Sequence, residues 1–163
     1  MQKLFAGIFA LIWILAATAQ PDEHYCNARF GFCVDVPAPL KSAGEGENGD
    51  GSKFYVPGKA IEVIASASHY VADDAPQQWL QQQKKEMHKK RGQRITFEQL
   101  KKDRYTVSGY LADGDIFYHA WRVENDIVYS LYFAYPRQEK TRMNAVVEQM
   151  VKSWETALPT EFN

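Results

Sequence analysis

The chain contains 163 residues, of which 45% are hydrophobic and 24% charged, and its 19 basic and 20 acidic side chains leave a formal net charge of −1. This length is enough for one domain with its own core and too short for two ordinary domains. A near-neutral charge argues against a dedicated nucleic-acid-binding protein, since such proteins usually present a strongly basic surface. We therefore predict no nucleic-acid partner.

The first 19 residues have the layout of a cleaved secretory signal peptide. Lys3 precedes an apolar run from Leu4 to Ala17, and Ala17 and Ala19 form an A-x-A cleavage pattern. The run has about 14 residues, fewer than the roughly 20 that cross a bilayer, and a retained anchor is the alternative. We predict cleavage after Ala19, a mature single α+β domain at residues 20–163, periplasmic localisation and no stable membrane anchor.

Export makes the two cysteines, Cys26 and Cys33, candidates for a disulfide bond, because the periplasm is oxidising. A hairpin turn at residues 27–32 would let their sulfurs face each other. Closing so short a loop is worth on the order of 2–3 kcal/mol. The spacing differs from the C-x-x-C of catalytic dithiols, so we predict a structural disulfide, with two buried or free thiols as the alternative.

The first predicted strands surround and follow Cys33. Residues 30–36 alternate apolar with polar or small side chains, which predicts a strand with one buried face. The segments KFYV, residues 53–56, and AIEVIASASHYV, residues 60–71, predict two more strands joined by a tight Pro57-Gly58 turn. The first half of the chain is therefore predicted to be a meander.

The segment GEGENGDGSKF, residues 44–54, has the composition of a calcium or phosphate loop. An EF-hand register would place Gly46 and Pro57 where the first and last carboxylate ligands belong. The phosphate-loop motif also fails, because the lysine and serine are in the wrong order and no helix follows. We predict only turns here. The alternative is a weak calcium site formed by Glu45, Glu47 and Asp50.

Residues 76–91, PQQWLQQQKKEMHKKR, are good helix formers and predict the first helix. Asp73 and Asp74 precede it and Gly92 follows it, which are typical start and stop signals. Its inward side is predicted to carry Trp79, Leu80, Gln83 and Met87. The next segment, RITFEQL at residues 94–100, predicts a strand that buries Ile95, Phe97 and Leu100.

Residues 105–136 predict three antiparallel strands, because two turn dipeptides separate aromatic-rich runs. The last strand, residues 127–135, is apolar on both faces, which predicts a central strand covered on both sides. An amphipathic helix follows at residues 137–154, with a stripe of Met143, Val147, Met150 and Trp154. The order of elements predicts an α+β fold, in which two main helices pack on a central antiparallel sheet.

No arrangement of residues indicates catalysis or a bound metal. The four histidines, His24, His69, His88 and His119, occur outside the spacings typical of zinc sites. The serines lack the glycine-flanked context of an activated nucleophile. We therefore predict a non-enzymatic protein with no cofactor and no metal.

Positive charge is concentrated in one segment. Residues 77–104 carry 9 basic and 3 acidic side chains, whereas residues 20–76 carry 4 and 9. This pattern is more typical of a solvated helix face, and the functional alternative is contact with an acidic protein partner or anionic lipid. The predicted partner-binding residues are Lys84, Lys85, Lys89, Lys90, Arg91 and Arg94.

The aromatic strands indicate a second class of function, a periplasmic protein that binds a small ligand or a metal. Its site would use Tyr118, Trp121, Tyr129 and Tyr132. Aromatic side chains on strands more often belong to the core. Ligand binding is therefore the alternative to protein binding.

Short motifs along the chain resemble those of small exported bacterial proteins. In the first half they are RFGF at residues 29–32, Val36-Pro37, NGDG at residues 48–51, and Phe54. In the second half they are Tyr105, Ser108-Gly109-Tyr110, Gly114, Phe117-Tyr118, Tyr135-Pro136 and Lys152-Ser153-Trp154. Across nearly the whole mature chain the set is similar to uncharacterised periplasmic proteins with the PsbP/Mog-like fold, to which the DcrB lipoproteins also belong.

This resemblance implies a central antiparallel sheet with packed helices, and binding of other proteins rather than catalysis. Members of the fold include a photosystem subunit, a Ran-binding factor and chaperones for type VI secretion effectors, so the fold alone does not fix a function. We expect an exported protein-interaction module associated with a secretion or envelope system, for example in toxin immunity or chaperone-like binding. The lipid-attachment cysteine of DcrB has no counterpart in this sequence.

Overall fold

The computed structural model describes residues 22–70 and 75–156. The strands are β1 (Glu23–Asn27), β2 (Phe32–Val36), β3 (Lys41–Glu45), β4 (Gly51–Tyr55), β5 (Glu62–His69), β6 (Arg94–Leu100), β7 (Arg104–Tyr110), β8 (Ile116–Glu124) and β9 (Ile127–Tyr135). The helices are α1 (Pro76–Lys89) and α2 (Lys140–Ser153), the second preceded by a 3₁₀ turn. The predicted signal peptide, residues 1–19, and the helix-start pair Asp73 and Asp74 lie outside the described residues.

Seven strands form one antiparallel sheet in the order β3-β4-β5-β9-β8-β7-β6, and β1 and β2 form a separate antiparallel hairpin. The hairpin and α2 pack on one face of the sheet, which we call the α2 face. The other helix packs on the opposite face, which we call the α1 face. The predicted α+β fold, a central antiparallel sheet with two helices, is confirmed.

The strand β9 lies in the middle of this sheet, between β5 and β8. Because side chains alternate along a strand, it contributes Leu131 and Phe133 to the core under α2 and Val128 to the core under α1. All three side chains are buried. The predicted central strand with two covered faces is confirmed.

Each helix buries one apolar stripe. The buried residues are Leu80 and Met87 in α1 and Met143, Val146 and Met150 in α2. Val147, which was predicted in the stripe of α2, is only half-buried, and its neighbour Val146 takes the inward position. Within residues 22–70 and 75–156, no helix has the length and apolar character needed to cross a membrane.

The N-terminal hairpin contains the predicted disulfide. Cys26 in β1 pairs with Cys33 in β2, and their sulfurs are 1.99 Å apart. Asn27 holds the turn, because its Oδ1 accepts a hydrogen bond from the Phe30 amide at 2.9 Å. The predicted hairpin and disulfide are confirmed. The strand β1 itself was not predicted, since its sequence EHYCN has no alternating apolar pattern.

The acidic glycine loop is shorter than its composition indicates, because β3 and β4 extend into it and leave only residues 46–50 as the turn. The amide of Gly46 donates to the Gly51 carbonyl at 2.9 Å, and the amide of Gly49 donates to the Gly46 carbonyl at 2.8 Å. Among the described residues, the carboxylates of this loop do not form a group of three that could hold one ion. The loop is therefore a hairpin turn.

The strand β6 contains a bulge that the alternating pattern did not reveal. Ile95 pairs with Gly109, but Phe97 pairs with the adjacent residue Ser108, so Thr96 is an extra residue in β6. One extra residue reverses the alternation, which leaves Ile95 on the α1 face and turns Phe97 to the α2 face. The side chain of Phe97 is 50% exposed. Its predicted burial is wrong.

Candidate functional site

The predicted cationic residues on α1 fall into two groups. Lys84 Nζ lies 3.0 Å from Glu98 Oε1 on β6, and Lys89 Nζ lies 2.7 Å from Glu86 Oε1 on the helix itself. In contrast, Lys85, Lys90 and Arg91 are exposed and form no ion pair within the described part of the chain. These last three carry positive charge that is available to a partner.

Arg94, the sixth predicted residue, lies on the other side of β6. Its guanidinium carbon is 4.6 Å from the ring centroid of Tyr110 on the α2 face, and the guanidinium of Arg137 is 4.3 Å from the same centroid. Cations over an aromatic face are held by attraction to the ring electrons. The predicted cationic set therefore wraps around the end of the sheet and does not occupy one helix face.

Between α1 and Arg94 lies β6, the last strand of the sheet. Among the described strands, β6 pairs only with β7. Two large hydrophobic side chains are exposed among the described residues, Phe97 on β6 at 50% and Tyr55 on β4 at 43%. We define the β6 edge surface as Phe97 together with Lys85, Lys90, Arg91 and Arg94.

The side of β6 that faces α1 is fixed by a polar cluster around Glu98. Its carboxylate contacts Lys84, His88 Nε2 at 3.1 Å and the hydroxyl of Tyr105 at 3.3 Å. Partial burial tends to raise the pKa of Glu98, but hydrogen bonds from His88 and Lys84 outweigh it and hold the pKa below its ordinary value. This cluster ties α1 to β6, so that the free cations have a fixed position relative to Phe97.

A groove of about 650 Å³ runs on the α2 face between α2 and strands β6 to β8. Its floor includes Ser108 and Tyr118, and its helical wall includes Val147 and Val151. Phe97 is the cross-strand neighbour of Ser108 and lies at the outer margin of this floor. The groove therefore reaches β6 at Thr96, the residue before Phe97.

The four aromatic residues predicted for a ligand site do not come together. Tyr118 lines the groove, while Tyr129 is buried in the core under α2. Trp121 and Tyr132 belong to the opposite, α1 face. Their alternation along β8 and β9 separates them, so the sequence-predicted ligand site is not assembled.

One Ser-His contact on the α1 face resembles part of a catalytic arrangement. His119 Nε2 lies 2.8 Å from Ser130 Oγ, and the imidazole stacks on Trp121 with 3.5 Å between ring centroids. A nucleophilic serine needs a base that is oriented by a third polar group. Within the described residues, the contacts of His119 are with Ser130, Trp121 and Tyr132, and none of them is a carboxylate that could orient the imidazole as a base.

We expect His119 to make folding sensitive to acid. Burial lowers the pKa of His119 to about 3, and the charge of Lys90 acts in the same direction. An unfolded histidine has a pKa of about 6.5, so between pH 6.5 and 3 the unfolded chain binds the extra proton and stability falls as pH falls. Urea unfolding across this range should show a smaller loss for His119→Gln. Equal losses in both proteins would contradict the assignment.

No protein-family model matches the chain, and neither does any curated protein. Its fold does match solved structures. The solution structure of cyanobacterial PsbP (CyanoP) from Synechocystis sp. PCC 6803 superposes with a TM-score of 0.58 and 10% identity, over 93% of this chain and 98% of that chain. The chain has a PsbP-like fold.

A second protein with a similar fold is LpqN, which is involved in cell envelope biogenesis of Mycobacterium tuberculosis and whose crystal structure is known. The TM-score is 0.65 at 14% identity, over 85% of this chain and 91% of that chain. Identities this low establish the PsbP-like fold and no shared activity. The expectation drawn from the sequence motifs is confirmed at the level of fold.

Proposed function

We propose that this is an exported, envelope-associated protein that acts by binding an acidic partner protein at the β6 edge surface. The observation that carries the proposal is the exposure of Phe97 on a terminal strand whose opposite face is covered by α1, the helix that carries cations without an ion pair among the described residues. Export is supported by the signal-peptide pattern and by the disulfide. The envelope role of LpqN supports the setting.

The surface has the composition of a protein-binding site. A central apolar side chain that becomes buried supplies most of the binding energy, and a charged rim supplies orientation and association rate. Phe97 takes the first role, and Lys85, Lys90, Arg91 and Arg94 take the second. Because every rim residue is cationic, the complementary partner presents acidic side chains around an apolar pocket.

Replacing Phe97 with serine should weaken partner binding about 30-fold or more, as expected for a central anchor worth about 2 kcal/mol. The tagged protein is used to capture partners from its native envelope fraction, and the affinity of each captured partner is then measured directly. Tyr55→Ser is the matched control, because Tyr55 is similarly exposed at the other end of the sheet. An equal loss of partner affinity in both variants, or no loss in either, would contradict the proposed surface.

Reversing the charges of Lys85 and Lys90 should slow association and reduce its dependence on salt, because rim charges steer encounter. The control reverses Lys41 and Lys53, which lie on β3 and β4 at the opposite end of the sheet. Reversal of Lys84 and Lys89 should have a smaller effect on association, because both already pair with glutamates. Association that is unchanged in the first variant would exclude α1 from the interface.

The identity of the captured protein separates the narrower roles. A stoichiometric complex with a hydrolase would indicate toxin immunity, and a complex with an unfolded or secreted effector would indicate chaperone-like binding. The alternative, small-ligand binding, has its place in the groove beside α2. A ligand that binds there with unchanged affinity in Phe97→Ser, in a protein that captures no partner, would favour that alternative.

A further inference from the structure

The outer face of the β1-β2 hairpin carries four side chains with metal-binding chemistry. Cys26 pairs with Cys33, and His24 pairs with Asp35 one step further along the same face. Residues two apart share a face of a strand, so all four project away from the core, into which Val34 points. This arrangement comes from the register of the hairpin and is separate from the β6 edge surface.

The donor atoms already lie close together. A ring nitrogen of His24 and the sulfurs of Cys26 and Cys33 are all within 4.8 Å of one another. A tetrahedral zinc ion, with bonds of about 2.3 Å to sulfur and about 2.0 Å to nitrogen, holds such ligand atoms roughly 3.5–3.8 Å apart. The two sulfurs, which are 1.99 Å apart in the disulfide, must separate after reduction to reach this geometry.

Asp35 orients the histidine. Its Oδ1 lies 2.8 Å from His24 Nδ1, so the carboxylate accepts a hydrogen bond from Nδ1–H and leaves the Nε2 lone pair free. Zinc-binding histidines usually have such a carboxylate partner. A shallow depression beside the pair is lined by Glu155 and Lys152. A water molecule would take the fourth zinc position, and the nearby positive charge of Lys152 would weaken the binding of a cation there.

We propose that reduction of the disulfide turns this hairpin into a zinc site with His24, Cys26 and Cys33 as ligands. Zinc binds thiolates, and the sulfurs of a disulfide are not thiolates. An external dithiol attacks the exposed Cys26 sulfur and releases Cys33 as a thiolate. The reductant becomes a disulfide, the two cysteine sulfurs gain its two electrons and two protons, and zinc displaces those protons.

The backbone that carries the site is held independently of the disulfide. Cys33 and Glu155 exchange two backbone hydrogen bonds of 3.0 Å, and the other face of the hairpin packs on the core through Phe32 and Val34. The strands therefore keep their register when the sulfur bond is cut. A zinc ion then closes the same hairpin that the disulfide closes in the oxidised protein.

The test uses the purified protein, reduced with a dithiol, desalted without oxygen and titrated with Co²⁺ as a spectroscopic substitute for zinc. We expect one ion per chain, a thiolate-to-cobalt charge-transfer band and tetrahedral visible bands, all abolished by adding Zn²⁺. The oxidised protein should give none of these signals. A reduced, folded protein without the charge-transfer band would overturn the proposal, since cobalt bound only at surface carboxylates lacks that band.

Variants identify the ligands. Asp35→Asn should weaken cobalt binding about 10- to 100-fold, which is the usual effect of removing the partner of a metal-binding histidine. His24→Ala should weaken it more, and His69→Ala, which changes a histidine outside the hairpin, should leave it unchanged. Cobalt affinity that is the same in His24→Ala and the parent protein would exclude the site. If reduction removes the hairpin signal in circular dichroism, Zn²⁺ must restore it, and failure to do so would equally exclude the site.

Discussion

Phe133→Ala should lower the free energy of unfolding by about 3 to 5 kcal/mol, the largest stability loss that we expect from one side chain in this fold. Phe133 is on the central strand β9 and has no exposed surface. Its ring meets Tyr118 edge-on with 5.8 Å between centroids, and its cross-strand neighbours are Tyr118 on β8 and Val63 on β5. Truncation would leave a cavity in a layer fixed by sheet hydrogen bonds on both sides, which cannot collapse easily.

Urea unfolding measures this loss, and Phe97→Ala is the matched control. Both variants remove the same atoms, but Phe97 is half-exposed on a terminal strand, so its change in stability should stay within about 0.5 kcal/mol. The pair also separates stability from binding, because Phe97 is proposed to matter only to the partner. A loss below about 1 kcal/mol for Phe133→Ala would mean that the core under α2 is less tightly packed than the structure indicates.

The sequence was sufficient to predict most of the fold because its strongest signals are local. Alternation identified β2 and β6, turn dipeptides separated β4 from β5 and β7, β8 and β9 from one another, and helix-forming composition and an amphipathic stripe identified α1 and α2. The missed strands, β1 and β3, are short, polar and largely exposed. Such strands are defined by pairing with a neighbour, and pairing is a long-range property that a local pattern does not contain.

The candidate site was harder to predict for two physical reasons. Charge composition located the cations of α1, but which of them remain free depends on Glu98, which reaches Lys84 from a different element. The bulge at Thr96 moves the side chain of Phe97 to the opposite face of the sheet, and no unusual residue within β6 marks the position of the bulge. The one local signal was Gly109 opposite the bulge, because glycine inside a strand often marks a close approach of backbones.

The glycine at position 109 gives the most direct link between stability and the proposed interface. A Cβ built there would lie 2.0 Å from the Arg94 carbonyl oxygen and 2.9 Å from Ile95 Cα. Both contacts are with the backbone of β6, which cannot rotate away as a side chain would. Gly109→Ala must therefore push the bulged end of β6 outwards, at a cost toward the upper end of the usual 1–3 kcal/mol for overpacking.

The same displacement moves Arg94 and changes the bulge that exposes Phe97. Gly109→Ala should therefore weaken partner binding even under conditions in which the variant is fully folded. Unfolding free energy and partner affinity are measured on the same samples, at a temperature where the variant is folded. Ser108→Ala is the control, because it alters the neighbouring residue of β7 without adding a side-chain atom. The variant could instead lose stability and still bind its partner with the affinity of the parent protein. That result would show that binding does not depend on the geometry of β6, and the interface would then lie elsewhere on the sheet.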